Sequence, residues 1–196
     1  MINDKIKPTT PVEFVADLLP AGSKVLDLGS GTGRDSLYLA SLGHHVMAVD
    51  SSRQALEKLE QSGKELKLQN FITSIEAKVE DYVIFASSYG LINCAHILHF
   101  LTLDQAVAVI RKMIDGVEAS GYLTITTFSK NEADYLAKEF LYNRGYFSKE
   151  ELLVLLKDLN ILMVNEQVIE DIGHPGRPEP HEHHVIEVVA RKGGNR

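Results

Sequence analysis

Short apolar runs alternate with helix-like segments along most of the chain. This alternation is typical of parallel crossover connections, so it predicts a doubly wound α/β sheet with helices on both faces. The runs that predict strands are KVLDLG, HHVMAVD, a segment around Ile72 to Ala77, YGLINCAHIL, YLTITTF, ILMVNEQVIED and HHVIEVVARK. Because the loop between the last two runs is too short to contain a helix, we expect these two strands to be antiparallel neighbours.

Helix starts are marked by Ser or Thr followed three residues later by Glu or Gln. In such a capping box, the two side chains satisfy backbone N–H groups at the start of the helix. The predicted boxes begin at Thr10, Ser51, Thr102 and Ser148. A further helix is predicted from Glu132 to Phe140.

Length, composition and charge narrow the classes of protein to consider. The chain has 196 residues, 44% of them hydrophobic and 24% charged, which fits a single globular domain over residues 1–196. The net charge of −7 disfavours a general binder of nucleic acid or of anionic membranes. The sequence does not predict the oligomeric state.

The number of cysteines and the lengths of the apolar runs indicate the cellular compartment. Cys94 is the only cysteine, so an internal disulfide is impossible and a reducing compartment is expected. The start of the chain lacks the apolar core of a signal peptide, and the longest apolar run is too short to span a bilayer. We therefore expect a cytoplasmic protein whose partners include neither nucleic acid nor a membrane.

The segment KVLDLGSGTGRD places three glycines directly after the first predicted strand. Gly29, Gly31 and Gly33 occupy alternate positions, and a predicted helix follows them. In open parallel sheets, ligands bind beyond the carboxyl ends of the strands, and glycine lets the backbone approach a ligand closely. The segment therefore predicts the floor of a cofactor site, with a helix N-terminus directed at it.

The residues around these glycines restrict the cofactor. No lysine follows as a phosphate-binding loop of the P-loop type requires. Arg34 stands where the dinucleotide-binding fingerprint has its third glycine, which counts against a nicotinamide cofactor. Asp27 suits an ammonium group better than a pyrophosphate. Asp50 ends the second strand, where it either accepts hydrogen bonds from ribose hydroxyls or caps the next helix.

The stretch VLDLGSGTGRDSLYLASLGHHVMAVD resembles the first motifs of class I S-adenosylmethionine-dependent methyltransferases. Its GRDSLYLA portion is most similar to the small-molecule branch that includes tellurite-resistance methyltransferases, and LINCAHILHFL resembles the fourth motif of the class. The resemblance implies S-adenosylmethionine as cofactor. It also implies a Rossmann-like, seven-stranded, mostly parallel sheet with an antiparallel last strand.

Carried over by position, the resemblance implies a set of cofactor-binding residues. These are Asp27, Gly29, Ser30, Gly31, Asp50, Ser51, Val79, Glu80, Asp81 and Ala95. Asp27 and the loop backbone would hold the methionine end, and Asp50 would hold the ribose. Either Glu80 or Asp81 would approach the adenine amino group. His96, just past the fourth strand, would lie near the sulfonium and is the candidate catalytic residue.

The function that the resemblance implies is methyl transfer to a small-molecule acceptor by in-line displacement. Such a reaction depends mainly on holding donor and acceptor close and aligned, and a general base is optional. Two alternatives stay open at this point. One is a nicotinamide-dependent oxidoreductase, and the other is a non-catalytic module that binds S-adenosylmethionine, since fold alone does not decide function.

The loop GHPGRPEPHEHH lies between the last two predicted strands. Because the sixth strand is predicted to be parallel, this loop leaves the sheet at the same edge as the glycine loop. Four of its residues are candidates for binding the acceptor: His174, Arg177, His181 and His183. The loop is either a cationic lid over an anionic substrate or a solvated hairpin stiffened by prolines. The H-x-H-H spacing is a weak metal signal, and we predict no metal.

Overall fold

The computed structural model of the chain describes residues 6–132, 136, 138, 142–172 and 178–194. Its helices are α1 (Thr10–Ala16), α2 (Arg34–Ser41), α3 (Arg53–Glu65), α4 (Leu103–Gly116) and α5 (Lys149–Leu155), with a 3-10 turn at Leu98–Phe100. Its strands are β1 (Lys24–Leu28), β2 (His45–Asp50), β3 (Ile72–Glu76), β4 (Tyr89–Ala95), β5 (Val117–Phe128), β6 (Asn160–Asp171) and β7 (His181–Arg191). The helix predicted from Glu132 to Phe140 falls mostly outside the described residues.

The strands form one seven-stranded sheet in the order β3-β2-β1-β4-β5-β7-β6. The pairs β1–β2, β1–β4, β2–β3 and β4–β5 are parallel, whereas β7 is antiparallel to both β5 and β6. The predicted α/β sheet with an antiparallel last strand is thereby confirmed. Because β2 and β4 flank β1 on opposite sides, the strand order reverses at β1, which places the crevice for a ligand at its carboxyl end.

Helices cover both faces of the sheet, and the apolar residues of β1 face the two resulting cores. Leu26 and Leu28 pack in a buried cluster with residues of α4 and α5, whereas Val25 packs in a second cluster with residues of α1, α2 and α3. Near-continuous burial is what a central parallel strand requires when helices cover both faces. Asp27 is therefore the one polar side chain of β1 on the face of Val25.

Cys94 lies on β4 at the centre of the sheet and is fully buried. It pairs with Leu28 of β1 on one side and with Ile125 of β5 on the other. Burial, followed by the negative charge of Asp27, raises the pKa of its thiol. The thiol therefore stays protonated within the apolar core.

A long antiparallel hairpin closes the sheet. β6 pairs with β7 along most of its length, from Asn160 opposite Arg191 to Asp171 opposite His181. Asp171 and His181 therefore lie at the turn end of the hairpin. Since β6 is parallel to β5, this end is at the carboxyl edge of the central strands, as the sequence predicted.

The capping boxes predicted at Thr10 and Ser51 do not form, and in both helices the N-cap position lies one residue away from the predicted one. α1 is preceded by Thr9 rather than Thr10, and Thr9 makes no side-chain bond to its own helix. α3 is capped by Ser52, whose hydroxyl accepts from the Ala55 N–H, rather than by Ser51. The boxes that begin at Thr102 and Ser148 are confirmed.

None of the helices in the described residues combines the length and the apolar character needed to cross a bilayer.

Replacing Thr102 with alanine should lower the free energy of unfolding by about 1 kcal/mol, because α4 loses the hydroxyl that accepts from the Gln105 N–H. The matched control is Thr10→Ala at the exposed first residue of α1, which should change stability by less than about 0.5 kcal/mol. Urea unfolding followed by circular dichroism measures both values. Equal losses in the two variants would contradict the assigned caps.

Candidate cofactor and acceptor site

The glycine loop after β1 adopts left-handed backbone at each of its three glycines. The φ angles are 70° at Gly29, 54° at Gly31 and 91° at Gly33. A Cβ atom at Gly29 would lie 2.8 Å from the Ile97 side chain, and one at Gly33 would collide with Leu59. At Gly31 nothing lies within 4 Å. The outer two glycines are thus required by packing, whereas Gly31 exposes bare backbone to open space.

Asp50, at the end of β2, fastens this loop to the neighbouring strand. One carboxylate oxygen accepts from the Gly31 N–H at 2.8 Å, and the other accepts from the Ser52 N–H at 2.8 Å. The Val49 carbonyl accepts from the N–H groups of Gly29 and Ser30. Asp50 therefore contacts the start of α3, as the helix-capping interpretation of this residue required. Each of its oxygens still has a lone pair for a further donor such as a ribose hydroxyl.

A cavity of about 190 Å³ lies beside this loop at the carboxyl edge of the sheet. Its lining residues are Gly29, Asp50, Ser51, Lys78, Val79, Glu80, Ile97, Phe100 and Leu101. Five of the ten predicted cofactor residues are therefore brought together in one wall. Glu80 lines the cavity, whereas Asp81 is exposed and is not among the lining residues, so the structure favours Glu80 of the two open alternatives.

Sequence reasoning missed four lining residues: Lys78, Ile97, Phe100 and Leu101. Three of them are apolar and follow β4, where their pattern indicated only core or turn residues. Lys78 lies two residues before Glu80 in the sequence, but its charge alone did not indicate a site residue. A pocket that combines apolar walls with a few carboxylates is typical of sites that bind a nucleoside.

The hydroxyl of Ser30 supports the fit of a cofactor to this loop. Its Oγ atom is buried, and no described residue forms a hydrogen bond with it. A buried hydroxyl without a partner costs about 1–3 kcal/mol, which a bound polar ligand can recover. Together with the open space at Gly31 and the free lone pairs of Asp50, Ser30 makes the loop suited to S-adenosylmethionine.

Asp27 lies in a buried polar network rather than on the cavity wall. Its carboxylate accepts from the Ser36 hydroxyl at 2.5 Å and from the Asn93 amide at 2.8 Å. Asn93 in turn donates to Asp35 at 3.2 Å and accepts from Thr124 at 2.8 Å. Asp27, Asn93 and Thr124 are in register across three adjacent strands. A contact between Asp27 and the methionine end stays a prediction.

Two carboxyl groups share this network, and their proximity perturbs the ionisation of Asp27. Burial is the main cause that raises the pKa of Asp27 from 3.8 to about 6, and the negative charge of Asp35 acts in the same direction. Hydrogen bonds from Ser36 and Asn93 oppose the shift. Asp35 itself accepts from the N–H of Thr9 at 2.7 Å and from its hydroxyl at 3.0 Å. This contact explains why Thr9 does not cap α1 with its side chain.

Ala95 ends β4, and His96 follows it where the chain turns away from the sheet. His96 has a left-handed φ of 56°, and its N–H donates to the Thr126 carbonyl at 2.8 Å. Burial lowers the pKa of His96 to about 4, and the Arg34 guanidinium acts in the same direction. His96 is therefore neutral at physiological pH and can accept a hydrogen bond or a proton.

Stacked aromatic rings extend from His96 along the carboxyl edge. The Phe128 ring, at the end of β5, lies 4.1 Å from the His99 ring and 4.4 Å from the His183 ring between centroids, nearly parallel to both. The His96 ring meets Phe128 edge-on at 6.0 Å. This arrangement brings His183 to the same edge as His96. His174 and Arg177, the other two predicted loop residues besides His181, lie outside the described residues.

A second cavity, of about 350 Å³, lies at the opposite edge of the sheet. Its wall includes Lys24 and His45, the first residues of β1 and β2. In open α/β sheets the ligand crevice is at the carboxyl ends of the strands, so we place the functional site at the smaller cavity beside the glycine loop.

A seven-stranded sheet with an antiparallel last strand, a glycine loop after β1 and an acid at the tip of β2 is the arrangement of class I S-adenosylmethionine-dependent methyltransferases. Within that class, the family model described as "Tellurite resistance protein TehB" matches residues 9–174. The chain belongs to the TehB family.

Relatives with curated descriptions agree with this class. The chain is 29% identical over 151 residues to "Probable S-adenosyl-L-methionine-dependent methyltransferase TehB" of Haemophilus influenzae (strain 10810), which covers 75% of this chain and 49% of that protein. It is 32% identical over 102 residues to the cypemycin N-terminal methyltransferase of Streptomyces sp, covering 51% of this chain and 40% of that protein. The chain thus spans about half the length of the first relative.

One further relative and one solved structure are also similar to this chain. The ubiquinone biosynthesis O-methyltransferase of Vibrio campbellii (strain ATCC BAA-1116) is 28% identical over 116 residues, covering 59% of this chain and 48% of that protein. The crystal structure of TehB from Haemophilus influenzae superposes with a TM-score of 0.76 at 23% identity, covering 92% of this chain and 61% of that chain. The structural match shows the shared fold.

Alanine at Gly31 and at Gly33 should have different effects. Gly33→Ala should lower the free energy of unfolding by more than about 2 kcal/mol, because the new methyl group collides with Leu59 at a left-handed φ. Gly31→Ala should cost about 1–2 kcal/mol from the backbone alone, yet should abolish detectable binding of S-adenosylhomocysteine. Urea unfolding and calorimetry measure the two effects. Wild-type affinity in Gly31→Ala would contradict the location of the site.

Asp27→Asn should change the pH dependence of stability. The folded state protonates Asp27 at about pH 6 and the unfolded state near 3.8, so this group's contribution to stability falls as pH rises through that window. The shift corresponds to about 3 kcal/mol. The stability of Asp27→Asn relative to wild type should therefore rise by about that amount between about pH 3.5 and about pH 7.

The control for this prediction is Asp158→Asn, which also removes one carboxyl group but at an exposed position outside the buried network. Denaturant unfolding at a series of pH values gives the measurement. A constant difference between Asp27→Asn and wild type across the window would contradict the raised pKa.

Proposed function

We propose that this chain transfers the methyl group of S-adenosylmethionine to a small-molecule acceptor by in-line displacement. The observation that carries the proposal is the cavity at the carboxyl edge, which Gly29 of the glycine loop, Asp50 and Glu80 line together. When bound there, S-adenosylmethionine supplies an electrophilic methyl group that needs no further activation by the protein.

The residues of the site then bind and orient the cofactor. Asp50 holds the ribose, Glu80 approaches the adenine amino group, and Ile97 and Leu101 cover the apolar faces of the nucleoside. Ser30 and the loop backbone hold the methionine portion. Positioning of two reactants in this way supplies roughly 7–11 kcal/mol of the barrier reduction in aligned reactions.

His96 is the group best placed to act on the acceptor. Its imidazole is neutral because burial lowers its pKa to about 4, so a ring nitrogen can accept a hydrogen bond. A base of such low pKa is weak, because proton transfer is most efficient when the pKa lies near the working pH. We therefore expect His96 mainly to orient the acceptor, and to assist proton removal only where the acceptor atom carries a proton.

The acceptor class rests on the site and on the names of relatives. One relative is named for ubiquinone biosynthesis and another for the N-terminus of cypemycin, so related chains differ in their acceptors. The family is described by tellurite resistance. Oxyanions of sulfur, selenium or tellurium, thiols and small acids are the acceptors we propose. A cytoplasmic location and a single methyltransferase domain over residues 1–196 stay predictions.

The test combines donor binding with product detection. S-adenosylhomocysteine at about 100 times its dissociation constant should stabilise the protein by about 2.7 kcal/mol, whereas NADH should not. Asp50→Ala should remove most of that stabilisation. Methyl-labelled donor should transfer label to at least one acceptor in a panel of tellurite, selenite, thiols and carboxylic acids.

The outcomes separate the alternatives. Stabilisation by NADH and not by S-adenosylhomocysteine would point to the oxidoreductase. Donor binding without label on any acceptor would point to a non-catalytic module.

His96→Asn tests the residue proposed to face the acceptor. Asparagine tolerates left-handed backbone, so this variant keeps the turn at φ 56° while removing the imidazole. We expect kcat to fall by about 10²-fold for an acceptor whose reacting atom carries a proton, with little change in donor affinity. Rates with labelled donor and calorimetry with S-adenosylhomocysteine separate the two quantities. Unchanged kcat for every acceptor would exclude a role for His96.

A further inference from the structure

Lys112, on α4, contacts the backbone of one wall of the candidate cofactor cavity. Its ammonium group donates to the Glu80 carbonyl at 2.6 Å and to the Tyr82 carbonyl at 3.4 Å. Glu80 lines the cavity beside the glycine loop. The side chain of Lys112 is partly buried, and within the described part of the chain it bonds to these carbonyls rather than to a carboxylate. Its charge is therefore directed at the cavity wall.

The backbone at Glu80 needs such a partner because it lies in a tight turn. The Lys78 carbonyl accepts from the N–H groups of Asp81 and Tyr82 at 3.1 and 3.0 Å, and these bonds close the turn. The Glu80 carbonyl takes no part in them. A partly buried carbonyl that is left without a donor costs free energy. Lys112 supplies the donor and fixes the direction of the peptide that follows Glu80.

The other anchors of this segment act on either side of Glu80. The Ala77 N–H donates to the Asp50 carbonyl at 3.0 Å, which joins the start of the segment to the tip of β2. The Tyr82 hydroxyl donates to Met47 Sδ at 2.8 Å, which joins its end to the middle of β2. These contacts hold the ends of the segment. The orientation of the central peptide therefore depends on the ammonium contact.

Helix α4 is a firm support for that contact. Ile110 and Met113, which flank Lys112 in the sequence, are fully buried in the same apolar cluster as Val79 of the turn. The helix and the turn thus share a packed core, which holds the backbone of Lys112 at a fixed distance from the turn. A hydrogen bond from a charged donor is stronger than one between neutral groups.

We propose that Lys112 is a positioning residue for the adenine end of S-adenosylmethionine. It orients the turn so that the Glu80 carboxylate meets the adenine amino group, and it does not touch the ligand itself. A hydrogen bond to a carboxylate is directional, so a displaced Glu80 loses much of it. The inference rests on the proposed function, in which Glu80 approaches that amino group. Lys112 then determines both donor affinity and the preference for an amino-substituted purine.

Binding of two ligands to the protein tests this role by calorimetry. One ligand is S-adenosylhomocysteine, and the other is its analogue with hydrogen in place of the adenine amino group. The wild type should bind S-adenosylhomocysteine about 10–100-fold more tightly, since the analogue leaves Glu80 without its donor. Lys112→Met should weaken binding of S-adenosylhomocysteine at least about 10-fold and binding of the analogue less than about 3-fold.

Two further variants control for charge and for the donor. Arg111→Met removes the same charge from the preceding, exposed residue of α4, so both affinities should stay within about twofold of the wild type. Lys112→Arg keeps a charged donor, and its preference for S-adenosylhomocysteine should be closer to that of the wild type than to that of Lys112→Met.

A double-mutant cycle shows whether Lys112 acts through Glu80. Glu80→Gln should lower the preference by itself, and Lys112→Met should lower it little further in that background, because both changes affect one interaction. Thermal unfolding establishes that each variant is folded. If Lys112→Met does not fold, Lys112→Gln takes its place, since its shorter polar side chain also removes the charged donor.

The outcomes distinguish this inference from the proposed function. Equal losses for both ligands in Lys112→Met, or unchanged affinity for S-adenosylhomocysteine, would overturn the role of Lys112 and leave the proposed function intact. A wild type that binds both ligands equally would also overturn it, because Glu80 would then not meet the amino group. Absence of S-adenosylhomocysteine binding to the wild type would contradict the proposed function, and the role of Lys112 with it.

Discussion

The hydrogen bond from the Gly31 N–H to Asp50 is the interaction on which the site depends. It joins the loop after β1 to the tip of β2, and the Val49 carbonyl adds two further bonds to the same loop. Three residues with left-handed φ are costly to order, because glycine loses more conformational freedom on folding than any other residue. Contacts from β2 offset that cost and hold the loop beside the cavity, so the loop is preorganised before any ligand arrives.

Beneath the loop, the buried network around Asn93 contains two carboxyl groups whose proximity is electrostatically unfavourable. Asn93 donates to both Asp27 and Asp35, so one amide serves two carboxyl groups that repel each other. Unpaired buried charges are strongly destabilising, and only their hydrogen bonds make such groups tolerable. The network also links β1, β4, β5 and α2. The geometry of the cofactor edge is therefore coupled to the ionisation of a carboxyl group that does not line the cavity.

The sequence was most informative where a local pattern determines structure. Strand-forming runs, the glycine loop and Asp50 were all identified, because period and turn chemistry are properties of neighbouring residues. The cap at Thr10 was misplaced because Thr9 and Thr10 are equivalent in sequence, and only the contact between Thr9 and Asp35 distinguishes them. The contact between His183 and Glu132 was not predicted, because Glu132 is distant along the chain and has no spacing signal.

The position of the single thiol makes its chemical reactivity a measure of how often the sheet opens. Cys94 is sealed between β1 and β5, and its raised pKa leaves almost no thiolate to react. An alkylating reagent can therefore reach the sulfur only when the middle of the sheet separates. The rate of alkylation of Cys94 therefore measures how often the centre of the sheet opens. If a ligand bound at the carboxyl edge slows alkylation, the decrease in rate measures how strongly binding there suppresses opening at the centre.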